Sequence, residues 1–195
     1  MLMPSSQTGF LYHLLKKLGA RKVLEVGCFT GMGVLVFVMA LLKKWGKQGE
    51  GVGGLEVRSY DIDTEAWEDI GKEIVERCIE ESGREGDMRV EVVERDGVEY
   101  MEGLLETEGE GCLDFVFVDG EKGMYRECFD LGVRLVRKGG VVVVDDWWWS
   151  GRVQGGEMDQ DSVGIRNCKE FVERDERVEF CEVDVGDGLL IAMKK

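Results

Sequence analysis

VVVVDDWWWSG, Val141 to Gly151, joins four valines to two carboxylates and three tryptophans. Four β-branched residues in a row leave no polar face, so the run reads as a strand buried on both sides, as in a parallel sheet. Such a strand meets water only at its end, and there stand Asp145 and Asp146. Either the strand merely surfaces at that point, or charge and aromatic walls have been set at the mouth of a site.

Outward from this strand, strand and helix patterns alternate along the chain. KVLEV (22–26), LEVRSY (55–60), MRVEVV (88–93), LDFVFV (113–118) and GVVVVD (140–145) read as strands. Between them lie helical periods. EAWEDIGKEIVERCI puts Trp67, Ile70, Ile74 and Cys78 on one face, with Asp63 or Thr64 as cap. MYRECFDLGVRLVRKGG does the same with Met124, Cys128, Leu131 and Leu135, and Arg137, Lys138 and two glycines supply its stop signal. A loop over 146–161 leads to a helix around 162–174 and two closing strands, VEFCEV and GLLIAM. Successive βα units predict one α/β domain over 1–195, a doubly wound, mostly parallel sheet with helices on both faces. The glycine-rich stretches GKQGEGVGG and ETEGEGC join elements of that domain rather than separate domains.

Composition narrows the function. A net charge of −15 argues against nucleic acid and anionic membrane as partners. VLVFVMALL (34–42) is too short to span a bilayer, and MLMPSSQTGF lacks the regions of a signal peptide. Six scattered cysteines with no CxxC pair read as buried, reduced thiols of a cytoplasmic protein. His13 is the only histidine and sits in an amphipathic stretch with Phe10, Leu11, Leu14, Leu15 and Leu18. That removes HExxH zinc chemistry and leaves His13 as the only possible histidine of a Ser-His-Asp triad, although it lies near no candidate nucleophile or carboxylate pair. Carboxylates, lysine, backbone amides or a metal must do the work.

In a doubly wound sheet, ligands bind beyond the carboxyl ends of the strands. The first strand ends in EVGCFTGMG, whose Gly27, Gly31 and Gly33 depart from the dinucleotide spacing G-x-G-x-x-G. They make either an ordinary tight turn or a place where a ligand approaches backbone and helix N-terminus. The second strand ends at Asp61, suited to ribose hydroxyls, and the third at Asp96-Gly97, suited to an adenine edge or to a helix N-cap. Together these outline a nucleoside site without a phosphate cradle. The fourth and fifth strands deliver Asp119 and Asp145-Asp146. As neighbours about 4.8 Å apart, they would bring carboxylates together, as caps or as oxygen ligands for a hard cation such as Mg2+.

KVLEVGCFTG, SYDIDTEAW, FVFVDGEKGMY, VDDWWWSG and VEFCEVDVGDGLLIAMKK also fall in the order of a known family. The chain resembles the cation-dependent O-methyltransferases, which include the caffeoyl-CoA and catechol enzymes. The resemblance implies a seven-stranded Rossmann-like sheet with an antiparallel last strand. It implies S-adenosyl-L-methionine as cofactor, held by Glu25, Gly27, Gly33, Asp61, Asp96, Gly97 and Asp119. It implies a divalent cation on Asp119, Asp145 and Asp146, and Lys122 as general base. Trp149 matches the family tryptophan beside the acceptor. Trp147 and Trp148 either wall that pocket with it or fold over the core.

The implied reaction moves a methyl group to one hydroxyl of a small vicinal diphenol. Its rivals are an S-adenosylmethionine-binding relative with an impaired acceptor site and a metal-independent transferase with another acceptor. A homodimer is the assembly the resemblance suggests. Two departures stand out: Asp146 replaces the family asparagine, and Gly33 stands where a serine often touches the cofactor. Relatives also carry further N-terminal sequence that shapes acceptor pocket and dimer.

Overall fold

The four valines lie where their sequence demands. In the computed structural model, which describes residues 3–46 and 54–195, they belong to a strand buried along its whole apolar length. Seven strands form one sheet: β1 (Lys22–Val26), β2 (Leu55–Asp61), β3 (Met88–Glu94), β4 (Leu113–Val118), β5 (Val136–Val144), β6 (Val178–Val183) and β7 (Leu189–Lys194). Their order is β3-β2-β1-β4-β5-β7-β6, with β7 antiparallel to both β5 and β6. Most of the GKQGEGVGG stretch, residues 47–53, lies outside the described residues.

Seven α-helices in the described residues flank the sheet: α1 (Ser5–Leu18), α2 (Met32–Trp45), α3 (Lys72–Ser82), α4 (Gly97–Thr107), α5 (Tyr125–Leu135), α6 (Arg152–Gly155) and α7 (Gln160–Val172). Strand alternation divides the core between the two faces. Val141 and Val143 join Phe115, Phe117 and the buried sides of α1, α2 and α3. Val142 and Val144 join Val116, Val118 and the sides of α4, α5 and α7. A polar residue at any of these four positions would face a packed layer, which is why the run contains none.

Three local expectations are corrected. The expected helix stop Arg137-Lys138-Gly139-Gly140 lies inside β5, because α5 ends at Leu135 and Val136 already pairs with Leu113. The strand then shifts register, with Gly139 at φ +70°, before Phe115 meets Val141. The face expected from Trp67, Ile70, Ile74 and Cys78 is also displaced. A π-helical turn at Trp67–Gly71 inserts a residue before α3, so Trp67, Gly71, Val75 and Ile79 point inward. Ile70 and Ile74 are left 52 % and 40 % exposed. Of the cysteines, Cys28, Cys128 and Cys168 are buried as expected, whereas Cys181 is exposed on β6 at the sheet edge.

One packing contact reaches the strand ends directly. Gly164 of α7 lies against the backbone of a 3-10 turn over Lys122–Met124, and a Cβ there would run into the Lys122 carbonyl. Gly164→Ala should therefore cost about 1–3 kcal/mol by overpacking and displace the turn that carries Lys122. Denaturant titration checks this; a midpoint equal to that of the unaltered chain would show that the contact yields freely.

Candidate active site

The glycine turn after β1 is shaped by close backbone approach. Gly27 has φ +95°, and a Cβ on it would strike the Asp119 carbonyl of the next strand end. From β2, Asp61 Oδ2 accepts hydrogen bonds from the backbone N–H groups of Cys28 (2.8 Å) and Phe29 (2.9 Å). Asp61 thus fastens the turn, a task the sequence did not reveal beside its expected ribose contact. Asp96 caps α4, accepting from Glu99 N at 3.0 Å through Oδ1. Gly97 has room only for hydrogen, because a Cβ would meet the Tyr60 ring. Asp61, Asp96, Gly97 and Asp119 together line a cavity of about 370 Å³ with Tyr60, Met124 and Cys128.

A second cavity of about 360 Å³ adjoins it, lined by Glu25, Gly33, Asp61, Asp119, Lys122 and Trp149 among others. Glu25 is buried and accepts from Ser59 Oγ at 2.6 Å. Burial pushes its carboxyl up to about 8 against the pull of the Ser59 hydroxyl, and the charges of Asp119 and Asp61 add to the rise. Gly33 is explained by the same carboxyl, since a Cβ there would overlap Glu25 Oε1.

The ends of β4 and β5 bring three carboxylates to one place, as their adjacency predicted. Lys122, itself buried, ties two of them together: its Nζ lies 2.8 Å from Asp146 Oδ2 and 3.3 Å from Asp119 Oδ1. The third N–H goes to the Tyr125 hydroxyl at 2.6 Å, so all three ammonium donors are matched. Tyr125 is a partner the sequence reading missed. Asp145 is buried, with Oδ1 accepting from Asp146 N at 2.7 Å and Oδ2 from the Gln7 side-chain amide. Burial pushes the Asp119 and Asp145 carboxyls up; Lys122 opposes the rise at Asp119, while Asp119 and Asp146 reinforce it at Asp145. Asp146 holds a left-handed backbone (φ +52°), which aspartate tolerates better than most residues.

Gln7, Asp119, Asp145, Asp146 and Asp187 line a third cavity of about 370 Å³. Its oxygen donors suit a hard divalent cation in kind. Among the described residues, however, no three acidic, histidine or cysteine side chains are gathered into a coordinating group. The Lys122 ammonium stands between two of them instead.

The tryptophans separate. Trp149 lines the second cavity, with Lys122 Nζ 5.1 Å from its ring centre. Trp147 is a correction: it is 1 % exposed, packed in the core, and donates from Nε1 to Glu182 at 2.7 Å. A ring sealed beneath the β6–β7 hairpin lines none of the three cavities. Trp148 is packed against Gly188 at the hairpin turn. His13 is exposed on α1, edge-on to Tyr12.

A family model described as O-methyltransferase matches residues 1–195. Caffeoyl-CoA O-methyltransferase 1 of Zea mays is 29 % identical over 202 residues, covering all of this chain and 72 % of that protein. Tricin synthase 1 of Oryza sativa subsp. japonica is 30 % identical over 205 residues, covering 100 % and 75 %. Among solved structures, an O-methyltransferase from Bacillus cereus in complex with SAH superposes with a TM-score of 0.78 at 22 % identity, covering 100 % of this chain and 83 % of that one.

The buried carboxyls give stability a definite pH dependence. Glu25, Asp119 and Asp145 hold their protons to higher pH when folded than when unfolded, so the folded state binds more protons over that window. Stability of the ligand-free chain should then fall as pH rises from about 5 to 8, by up to about 1.4 kcal/mol per pH unit for each such group. Glu25→Gln should flatten the upper part of this decline. Urea midpoints across that range read it directly; a variant slope equal to the parent's would show that Glu25 does not keep its proton.

Proposed function

Because the chain belongs to this O-methyltransferase family, we propose that it transfers the methyl group of S-adenosylmethionine to one hydroxyl of a small vicinal diphenol, assisted by a divalent cation. The convergence of Asp119, Lys122, Asp145, Asp146 and Trp149 beside the cavity lined by Asp61, Asp96 and Gly97 carries the reading.

In this reading Asp61 would hold the ribose and Asp96 the adenine edge, with Gly27 and Gly97 lining the same cavity. Glu25 gains a counter-charge from the amino group of a bound methionine moiety, which offsets its burial. Asp119, Asp145 and Asp146 are the residues that would hold the cation. Its chemistry there would be to lower the pKa of a diphenol hydroxyl, ordinarily about 10, and so raise its nucleophilicity. Trp149 offers a flat apolar wall to an aromatic ring. Lys122 is the base of this reading: its ammonium, here matched by three partners, would first give one proton to solvent, and the neutral Nζ would then take the proton of the acceptor hydroxyl. Transfer of the methyl group is an in-line displacement, to which the chain contributes chiefly by positioning.

The Lys122 ammonium between Asp119 and Asp146 favours one second reading, transfer to an acceptor without any cation. Turnover unchanged by EDTA would select it.

The decisive experiment is a screen of vicinal diphenols with S-adenosylmethionine, with and without Mg2+. Mg2+-dependent methylation is expected, and cofactor should raise the melting temperature. Asp61→Ala should weaken cofactor binding about tenfold or more by releasing the Cys28–Phe29 amides as well as the ribose. Asp119→Ala and Asp145→Ala should abolish turnover, whereas Asp146→Asn, which keeps one coordinating oxygen, should retain it. If no diphenol is methylated while cofactor binds, the acceptor assignment is wrong. If all three aspartate variants stay active, the cation site is.

A further inference from the structure

Gln7 is an anomaly in α1. The inward stripe of this helix is Gln7, Leu11 and Leu15, spaced four residues apart, and each is at most 2 % exposed. Leu11 and Leu15 already seat the helix on its neighbours in the core. An amide at the end of an apolar stripe costs free energy unless it is hydrogen-bonded, so its partner is the clue to its role.

That partner is Asp145 Oδ2, 138 residues away along the chain. The other carboxylate oxygen is fixed by Asp146 N. Asp145 is thus pinned at both oxygens, and each keeps further lone-pair capacity for the cavity that it lines with Asp119, Asp146 and Gln7. The opposite end of the Gln7 amide is closely bounded. Gly186, in the β6–β7 turn at φ +66°, passes so close that a Cβ would collide with Gln7 Oε1. A polar side chain buried between a turn with no room for a Cβ and one cavity carboxylate has more to do than fill space.

We propose that Gln7 is a positioning residue of the cation site: its side-chain amide, wedged by Gly186, holds the Asp145 carboxylate in the orientation that receives a divalent cation. This rests on the reading that Asp119, Asp145 and Asp146 hold such a cation. Hydrogen-bond partners of metal-binding side chains are commonly worth ten- to hundredfold in metal affinity. Here the partner also comes from α1, so the seating of the N-terminal helix and the readiness of the site are coupled.

The test is calorimetric titration of Mg2+ and Mn2+ into the full chain and into Gln7→Met, which keeps the volume and removes the donor. Cation affinity should fall about ten- to hundredfold, while affinity for S-adenosylhomocysteine stays close to that of the parent; the melting temperature of the cation-free chain should fall, because Asp145 loses a partner. In turnover, the Mg2+ concentration for half activation should rise by a similar factor, with kcat at saturating Mg2+ largely kept. Gly186→Ala, which alters neither partner but displaces the amide, should shift cation affinity in the same direction, and it decides the matter should Gln7→Met not fold. If the parent binds cation and either folded variant binds it equally well, Gln7 only seats the helix and the inference is overturned. If the parent binds no divalent cation, the assignment of the three aspartates falls and this inference with it.

Discussion

The functional end of this molecule is governed by one constraint: carboxylates delivered by neighbouring strands must be compensated where water is scarce. β1, β2, β4 and β5 end in or just before Glu25, Asp61, Asp119, Asp145 and Asp146. Among the described residues, Lys122 is the one basic side chain lining the two cavities where Asp145, Asp146 and Glu25 meet. One cation cannot balance five carboxylates, so each is met differently. Glu25 is pushed toward protonation by burial. Asp61 takes two backbone amides, and Asp145 takes one amide from the backbone and one from Gln7. Asp119 and Asp146 share Lys122. The residual charge is what a cationic cofactor and a metal ion would complete.

The frame around that charge is built to keep it fixed. Lys122 stands on a short turn clamped from behind by Gly164 of α7, and Tyr125, fully buried, receives its third N–H. Trp147 contributes by locking the chain after β5 to the hairpin: its ring fills the core and its N–H reaches Glu182 on β6. Asp146 therefore leaves the sheet at a defined angle and in a left-handed conformation. The apolar layer under the site thus does electrostatic work at one remove, since charges held rigidly need not reorganise when a substrate arrives.

Much of this was legible in the sequence, and the reason is periodicity. A parallel strand buried on both faces cannot hide in a pattern such as VVVVDD, and each such strand hands its first polar residue to the same edge of the sheet. Asp61, Asp96, Asp119, Asp145 and Asp146 could therefore be placed at or just past the strand ends from local pattern alone. What escaped were features set by tertiary partners. The π-turn at Trp67–Gly71 rotates a helical face that spacing alone placed on Ile70 and Ile74. Val136 extends β5 through a basic, glycine-rich run because Leu113 is there to pair with it. Trp147 and Trp149 are two residues apart, yet one is core and the other lines a cavity. For Gln7 there was a signal, a polar residue in register with Leu11 and Leu15, but its meaning lay in a carboxylate far along the chain.

Asp146 shows how a departure from the family pattern can be absorbed. Its left-handed backbone suits aspartate and asparagine alike, so the fold does not choose between them. The side chains do differ, by one negative charge in a place where Asp119 and Asp145 already raise each other's cost. That charge is met by Lys122 Nζ at 2.8 Å, closer than the same nitrogen stands to Asp119. An asparagine would leave Lys122 nearer in effect to Asp119 alone and freer to meet an incoming hydroxyl. The aspartate instead ties the proposed base to the proposed cation site: Oδ2 meets Lys122, and Oδ1 keeps its lone pairs for a cation. The second carboxylate would then be a link between the two halves of the proposed site rather than a defect in it.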